Sequence, residues 1–239
     1  MGMPVTVEVR DEGAGLKVTD KVFDYFKSVD ERFSTYKNLS EISQINRGEI
    51  KPENFSPEMK EVFLLSEETK KQTRGYFDIK KPDQIYDPSG LVKGWAIYKA
   101  AGLIKHQGFE NFFIEAGGDI QAGVDGPLGK PWTVGIRNPF KSGEIVKILK
   151  ITSQGVATSG TYFRGQHIYN PHKPEMPLTE VLSITVIGPN IYEADRFATA
   201  AFAMGKAGIN FIESLPGFEG YMIDKTGLAT KTSGFERYV

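Results

Sequence analysis

The chain has 239 residues, with 29 Lys and Arg against 30 Asp and Glu, and no cysteine. A formal net charge of −1 gives no global reason to expect nucleic acid or an anionic membrane. The missing cysteines exclude disulfides, thiolate catalysis, iron–sulfur clusters and cysteine–zinc sites, and only three histidines (His106, His167, His172) argue against a multi-histidine metal site. At this length the chain forms one large domain or two small ones and can bury a core without covalent staples. The opening Met1-Gly2-Met3-Pro4 has no basic or apolar leader pattern, and no 18-residue apolar stretch follows, so a soluble, cytoplasmic protein is expected.

In chain order, Val5-Thr6-Val7-Glu8-Val9 has the alternation of a strand. Val18 to Arg32 has helical spacing, and Val22, Phe26, Val29 and Phe33 form its apolar stripe. Ser40 caps a short helix ending at Asn46, and Pro57 sits at the first position of a helix reaching about Gln72. Gly90 to Lys105 is a longer helix that Gly108 ends. Strands are expected at 112–116, 119–124, 132–137 and 145–152, the first two parted by Gly117-Gly118. A buried, β-branched strand spans 181–187, a helix spans 192–205, a short helix spans 208–214, and strands lie near 220–223 and 228–231. Hairpin-linked strands with interspersed helices indicate an α+β fold, and neither a Rossmann fingerprint nor a Walker loop is present.

Four stretches carry residue types suited to chemistry. Asp195 and Thr199 are four apart on the alanine-rich helix, so they share a face and offer two hard oxygens of the kind a magnesium ion beside a phosphate takes. A solvated Asp and a core Thr explain the same pair. Asp87-Pro88-Ser89-Gly90-Leu91-Val92-Lys93-Gly94 opens a helix whose N-terminal amides and Lys93 suit an anion, or is an ordinary capped helix with an exposed lysine. Glu115-Ala116-Gly117-Gly118-Asp119 permits left-handed backbone and close approach of a ligand, or is a simple glycine turn capped by Asp119. Thr158, Ser159 and Thr161 cluster hydroxyls for phosphate or ribose oxygens, and His167 could serve as acid or base, or be a structural histidine. The rings of Phe33, Tyr36, Tyr76 and Phe77 can stack on a flat cofactor or fill a core.

Taken together and in order, FSTYKNLSEISQIN (33–46), GYFDI (75–79), DPSGLVKGWA (87–96), EAGGDI (115–120), ATSGTY (157–162), HIYNP (167–171) and ADRFAT (194–199) resemble the ApbE-like family of FAD:protein FMN transferases, in a compact form. The resemblance implies a single T-fold-related domain over 1–239, with mixed, mostly antiparallel sheet and packed helices. It implies Mg²⁺-dependent movement of FMN from FAD to a Ser/Thr hydroxyl of an acceptor flavoprotein, with release of AMP. By motif position, Asp195, Thr199 and the Gly90 carbonyl would hold Mg²⁺. Met1, Tyr36, Phe77, Asp78, Ile79, Asp87, Lys93, Gly117, Gly118, Ser159 and Ile168 would line the FAD site, and His167 with Asp195 would be catalytic. Two features depart from the family. Asn170-Pro171-His172 replaces the usual Asp-Pro turn, and the lipid-attachment cysteine of exported members is absent. An FAD pyrophosphatase and a non-catalytic FAD-binding protein are the alternatives.

Overall fold

The computed structural model describes residues 2–124, 130–161 and 168–239. Among the described residues, nine strands and six α-helices form, most of them where the apolar periodicity places them. Strand β1 (Val5–Val9) is followed by helices α1 (Leu16–Phe33), α2 (Glu41–Asn46), α3 (Pro57–Gln72) and α4 (Ser89–Lys105). Strands β2 (Phe112–Ala116), β3 (Asp119–Ala122), β4 (Trp132–Arg137), β5 (Ile145–Ile151), β6 (Gly155–Gly160) and β7 (Val181–Gly188) come next. Helices α5 (Ile191–Ala203) and α6 (Gly208–Glu213) and strands β8 (Glu219–Asp224) and β9 (Ala229–Lys231) complete the set. Ser40 and Ser56 cap α2 and α3 by accepting the amides of Ser43 and Met59, each at 3.2 Å, with Pro57 at the first turn of α3 as its fixed φ favours.

Seven strands form one sheet in the order β1-β2-β3-β6-β7-β8-β9, and every pairing is antiparallel. β4 and β5 make a separate hairpin. The sheet divides two apolar clusters. One holds the helices, with Val22, Phe26, Val29, Trp95, Ile97 and Phe202 among its members. The other is closed by the β4–β5 hairpin and Phe235. The pleat places Phe112, Ile114 and Ala116 in the helical cluster and sends Phe113 to the hairpin side, where its ring lies 5.1 Å from that of Trp132.

Helix α4 is buried around most of its circumference, including Leu91, Val92, Trp95, Ala96 and Ile97, which makes it the central helix of the fold. In the sequence β6 shows only as a hydroxyl cluster, yet it is a central strand. Its polar side chains conceal the strand pattern, and its glycine start is needed because a Cβ at Gly155 would collide with the backbone of Asn190 and Ile191. Among the described residues, no helix is long and apolar enough to cross a membrane.

Candidate active site

The site is built where two helices meet. Asn190 caps α5 by accepting the Glu193 amide at 3.0 Å, and the Ile191 amide donates to Gln121 Oε1 at 2.8 Å, which ties the helix start to β3. This entry presents Asp195 and, one turn on, Thr199 to α4. Asp195 is 3% exposed, and its Oδ2 accepts the Gly94 amide at 2.8 Å. The Thr199 hydroxyl donates to the Gly90 carbonyl at 3.3 Å. The two glycines, four apart on α4, mirror the Asp–Thr pair four apart on α5. A Cβ on Gly94 would stand 2.6 Å from Asp195 Cβ and 2.8 Å from the Ile191 carbonyl, and one on Gly90 would stand 3.2 Å from Thr199 Cγ2. The close approach that Gly94 permits is therefore that of α5.

Lys93, one residue before Gly94, pairs with the carboxylate of Asp119 and lies 3.7 Å from Asp195 Oδ1. Asp119 is 1% exposed and accepts the Thr158 amide at 3.1 Å. It follows a two-residue hairpin turn in which Gly117 (φ 60°) and Gly118 (φ 93°) are both left-handed, the conformation that a tight type I′ connection demands. Two buried carboxylates thus share one ammonium. Burial pushes the Asp195 carboxyl up to about 8; Lys93 opposes that rise, the Asp119 charge adds to it, and the Gly94 amide opposes it.

That charge balance is the test for a cation. A carboxylate this buried, beside a second one, is short of positive charge, and its neighbours are a carbonyl and a hydroxyl oxygen. All three donors are hard oxygens, so Asp195, Thr199 and the Gly90 carbonyl fit a small divalent cation. Among the described residues, no three His, Cys, Asp or Glu side chains converge. A cation here would therefore draw its remaining ligands from water or from phosphate oxygens.

These groups lie on the wall of a solvent-open cleft. The cleft brings together Phe77, Asp78, Asp87, Gly90, Lys93, Gly117, Gly118, Ser159, Ile168, Asp195 and Thr199, all predicted from sequence. Two other predicted residues stand elsewhere. Tyr36 is 97% exposed on the turn before α2, and Ile79 is buried in the helical cluster, where its carbonyl accepts the Asp87 amide at 2.7 Å. Met1 and His167 lie outside the described residues.

Several lining residues were not singled out from sequence. Arg137 and Gly135 come from the β4–β5 hairpin and Lys81 from a loop, while Tyr169 and Pro171 belong to the HIYNP motif but were given no role there. Lys81 was legible only after folding, through its 2.6 Å ion pair with Asp87. Burial raises the Asp87 carboxyl, but Lys81 and the Ser89 amide together hold it below the usual carboxylate range. Burial and the charges of Asp78, Asp83 and Asp87 push the Tyr169 hydroxyl up to about 12. The Asn170 turn forms as an Asp turn would: its Oδ1 accepts the His172 amide at 2.9 Å. His172 then contacts the Arg74 carbonyl at 3.0 Å and stacks edge-on to Tyr76 at 4.6 Å, joining two segments of the cleft wall.

Comparison with known proteins places this architecture. A solved structure described as the flavin transferase ApbE from Vibrio cholerae superposes with a TM-score of 0.87 at 22% identity, covering 100% of this chain and 96% of that one. The ApbE protein from Thermotoga maritima gives 0.85 at 20% identity, covering 99% and 96%. Among curated relatives, the FAD:protein FMN transferase of Klebsiella pneumoniae is 30% identical over 161 residues, which is 63% of this chain and 46% of the relative. That of Haemophilus influenzae is 24% identical, covering 98% of this chain and 87% of the relative. The chain spans about half the length of the first of these relatives. The sequence model of the ApbE family matches residues 1–82 and 79–222, the span that contains both helices of the site, and the chain belongs to the ApbE family.

Proposed function

We propose that this chain transfers FMN from FAD to a Ser or Thr hydroxyl of an acceptor protein, with Mg²⁺ bound and AMP released. The observation that carries this reading is the α4–α5 junction: a buried Asp195 beside Lys93, one turn from the Thr199 hydroxyl and the Gly90 carbonyl, on the wall of an open cleft. The names of the relatives, FAD:protein FMN transferase, support it.

In the proposed step the acceptor oxygen forms a bond to the FMN-side phosphorus, the bond from that phosphorus to the bridging oxygen breaks, and AMP leaves with the bridging oxygen. When bound, Mg²⁺ supplies neutralisation of the charge that grows on the pyrophosphate oxygens. Lys93 and the first amides of α4 offer further positive potential to the same oxygens. The consecutive left-handed glycines allow backbone to approach the substrate without side-chain obstruction. Phe77 and Ile168 offer apolar surface to the flavin ring. By its family position, His167 takes the acceptor proton. One sheet shared by both apolar clusters supports a single domain over 1–239.

Product analysis tests this reading. With FAD, Mg²⁺ and a Ser/Thr-bearing fragment of a flavoprotein, AMP and an FMN-modified fragment are expected. AMP with free FMN and an unmodified fragment would replace the transferase by a pyrophosphatase. Bound FAD with no products would leave a flavin-binding protein.

A further inference from the structure

The Lys93 ammonium lies between two buried carboxylates that it does not serve equally. It is in contact with Asp119, whereas Asp195 Oδ1 is 3.7 Å away, outside hydrogen-bond reach. Asp119 is held rigidly. It follows the glycine turn at the start of β3, and its Oδ1 is fixed by the Thr158 amide at 3.1 Å. Asp195 Oδ2 is taken by the Gly94 amide at 2.8 Å, so Oδ1 is the oxygen turned toward the ammonium.

An ammonium and a divalent cation are rivals for that oxygen. Lysine carries its charge on a flexible four-carbon stem, so its position is set by the acceptor that holds it. Here that acceptor is anchored to the sheet, whereas Asp195 is carried by a helix. We propose that Asp119 is a positioning residue: it holds the Lys93 ammonium off Asp195 and so keeps that carboxylate open to a divalent cation. The proposal rests on the cation reading of Asp195, Thr199 and Gly90 given above. In this arrangement Asp119 acts through Lys93 and is not itself a ligand. Its removal frees the ammonium to close on Asp195 Oδ1 and neutralise it from within.

The test is Mn²⁺ affinity, measured by calorimetry without flavin, on four proteins: wild type, Asp119→Asn, Lys93→Met and the double variant. Asparagine retains an oxygen for the Thr158 amide, which protects the fold. Asp119→Asn is expected to weaken Mn²⁺ binding about tenfold when Lys93 is present, within the range seen when supporting residues of metal sites are changed. In the Lys93→Met background the same substitution should cost clearly less, about threefold or under. Equal costs in the two backgrounds would mean that Asp119 contributes only its charge, and a larger cost in the Lys93→Met background would make it a ligand; either overturns the proposal. Should Asp119→Asn fail to fold, Lys93→Arg gives a second route. Its forked guanidinium can engage both carboxylates with no change of charge, so Mn²⁺ should bind more weakly, and unchanged binding overturns the proposal. A wild-type protein that binds no Mn²⁺ removes the cation reading and this proposal together, whereas binding with the wrong pattern removes this proposal alone.

Discussion

Asp195 concentrates the chemistry of the site in one side chain. It is buried, it accepts a backbone amide from another helix, and it shares an ammonium with Asp119. On the proposed transferase reading, in which Asp195 holds Mg²⁺, Asp195→Ala is expected to lower Mg²⁺-dependent turnover of FAD by more than about a hundredfold, because loss of a metal-holding carboxylate exceeds the effect of losing its supporting residues. FAD binding in the presence of chelator should persist, since most of the cleft wall is untouched; turnover within tenfold of wild type would remove Asp195 from the metal site. The Asp195–Thr199 pair was legible in the sequence because helical period alone puts positions four apart on one face. The Lys93–Asp119 contact was not. Those residues are 26 positions apart on different elements, and only the turn at Gly117-Gly118 and the packing of α4 on the sheet bring them together. Tyr36 stands on motif position alone: the resemblance assigns it to the FAD site, and its ring is exposed in the structure.

At the level of elements, the junction of α4 and α5 decides whether these side chains can meet. A Gly→Ala change on an exposed helix stabilises by about 1 kcal/mol. At Gly94 the sign should reverse, because the new methyl group would meet Asp195 Cβ at 2.6 Å and a backbone carbonyl at 2.8 Å, neither of which is the free end of a flexible chain. Gly94→Ala is therefore expected to cost about 1–3 kcal/mol of stability and to weaken cation binding, as read by denaturant unfolding and calorimetry. A stabilised variant would show that the helices part without penalty. Element boundaries were mostly readable from caps and periodicity, as at Ser40, Pro57 and the stripe from Val22 to Phe33. Strand β6 was not, because residues of a central strand that also lines a cleft are chosen for hydroxyls and small size, and its Thr and Ser obscure the apolar pattern.

For the whole molecule, the sheet carries the helical cluster and the cleft on one framework, and its far end is closed by the turn between β8 and β9. There Asp224 accepts from the Thr226 hydroxyl at 2.6 Å and amide at 2.8 Å and pairs with Lys206 at 2.9 Å. The Thr226 hydroxyl, then Lys206, hold its carboxyl well below the ordinary value of 3.8. A carboxyl depressed in the folded state stabilises above its unfolded pKa, and that stability is lost as pH falls toward the folded pKa. Asp224→Asn should thus melt below wild type at pH 7, with the gap closing as pH drops below about 4. A gap that stays constant down to pH 3 would contradict the assignment.

The central claim joins this framework to a covalent product, and the intact mass of the acceptor reads it most directly. A Ser/Thr-bearing flavoprotein fragment should gain the mass of FMN less one water when incubated with this protein, FAD and Mg²⁺. The gain should vanish with chelator, and it should vanish when free FMN replaces FAD, because only the pyrophosphate supplies a leaving group. An acceptor that stays unmodified while FAD is consumed, or one that is modified equally from free FMN, would contradict the account.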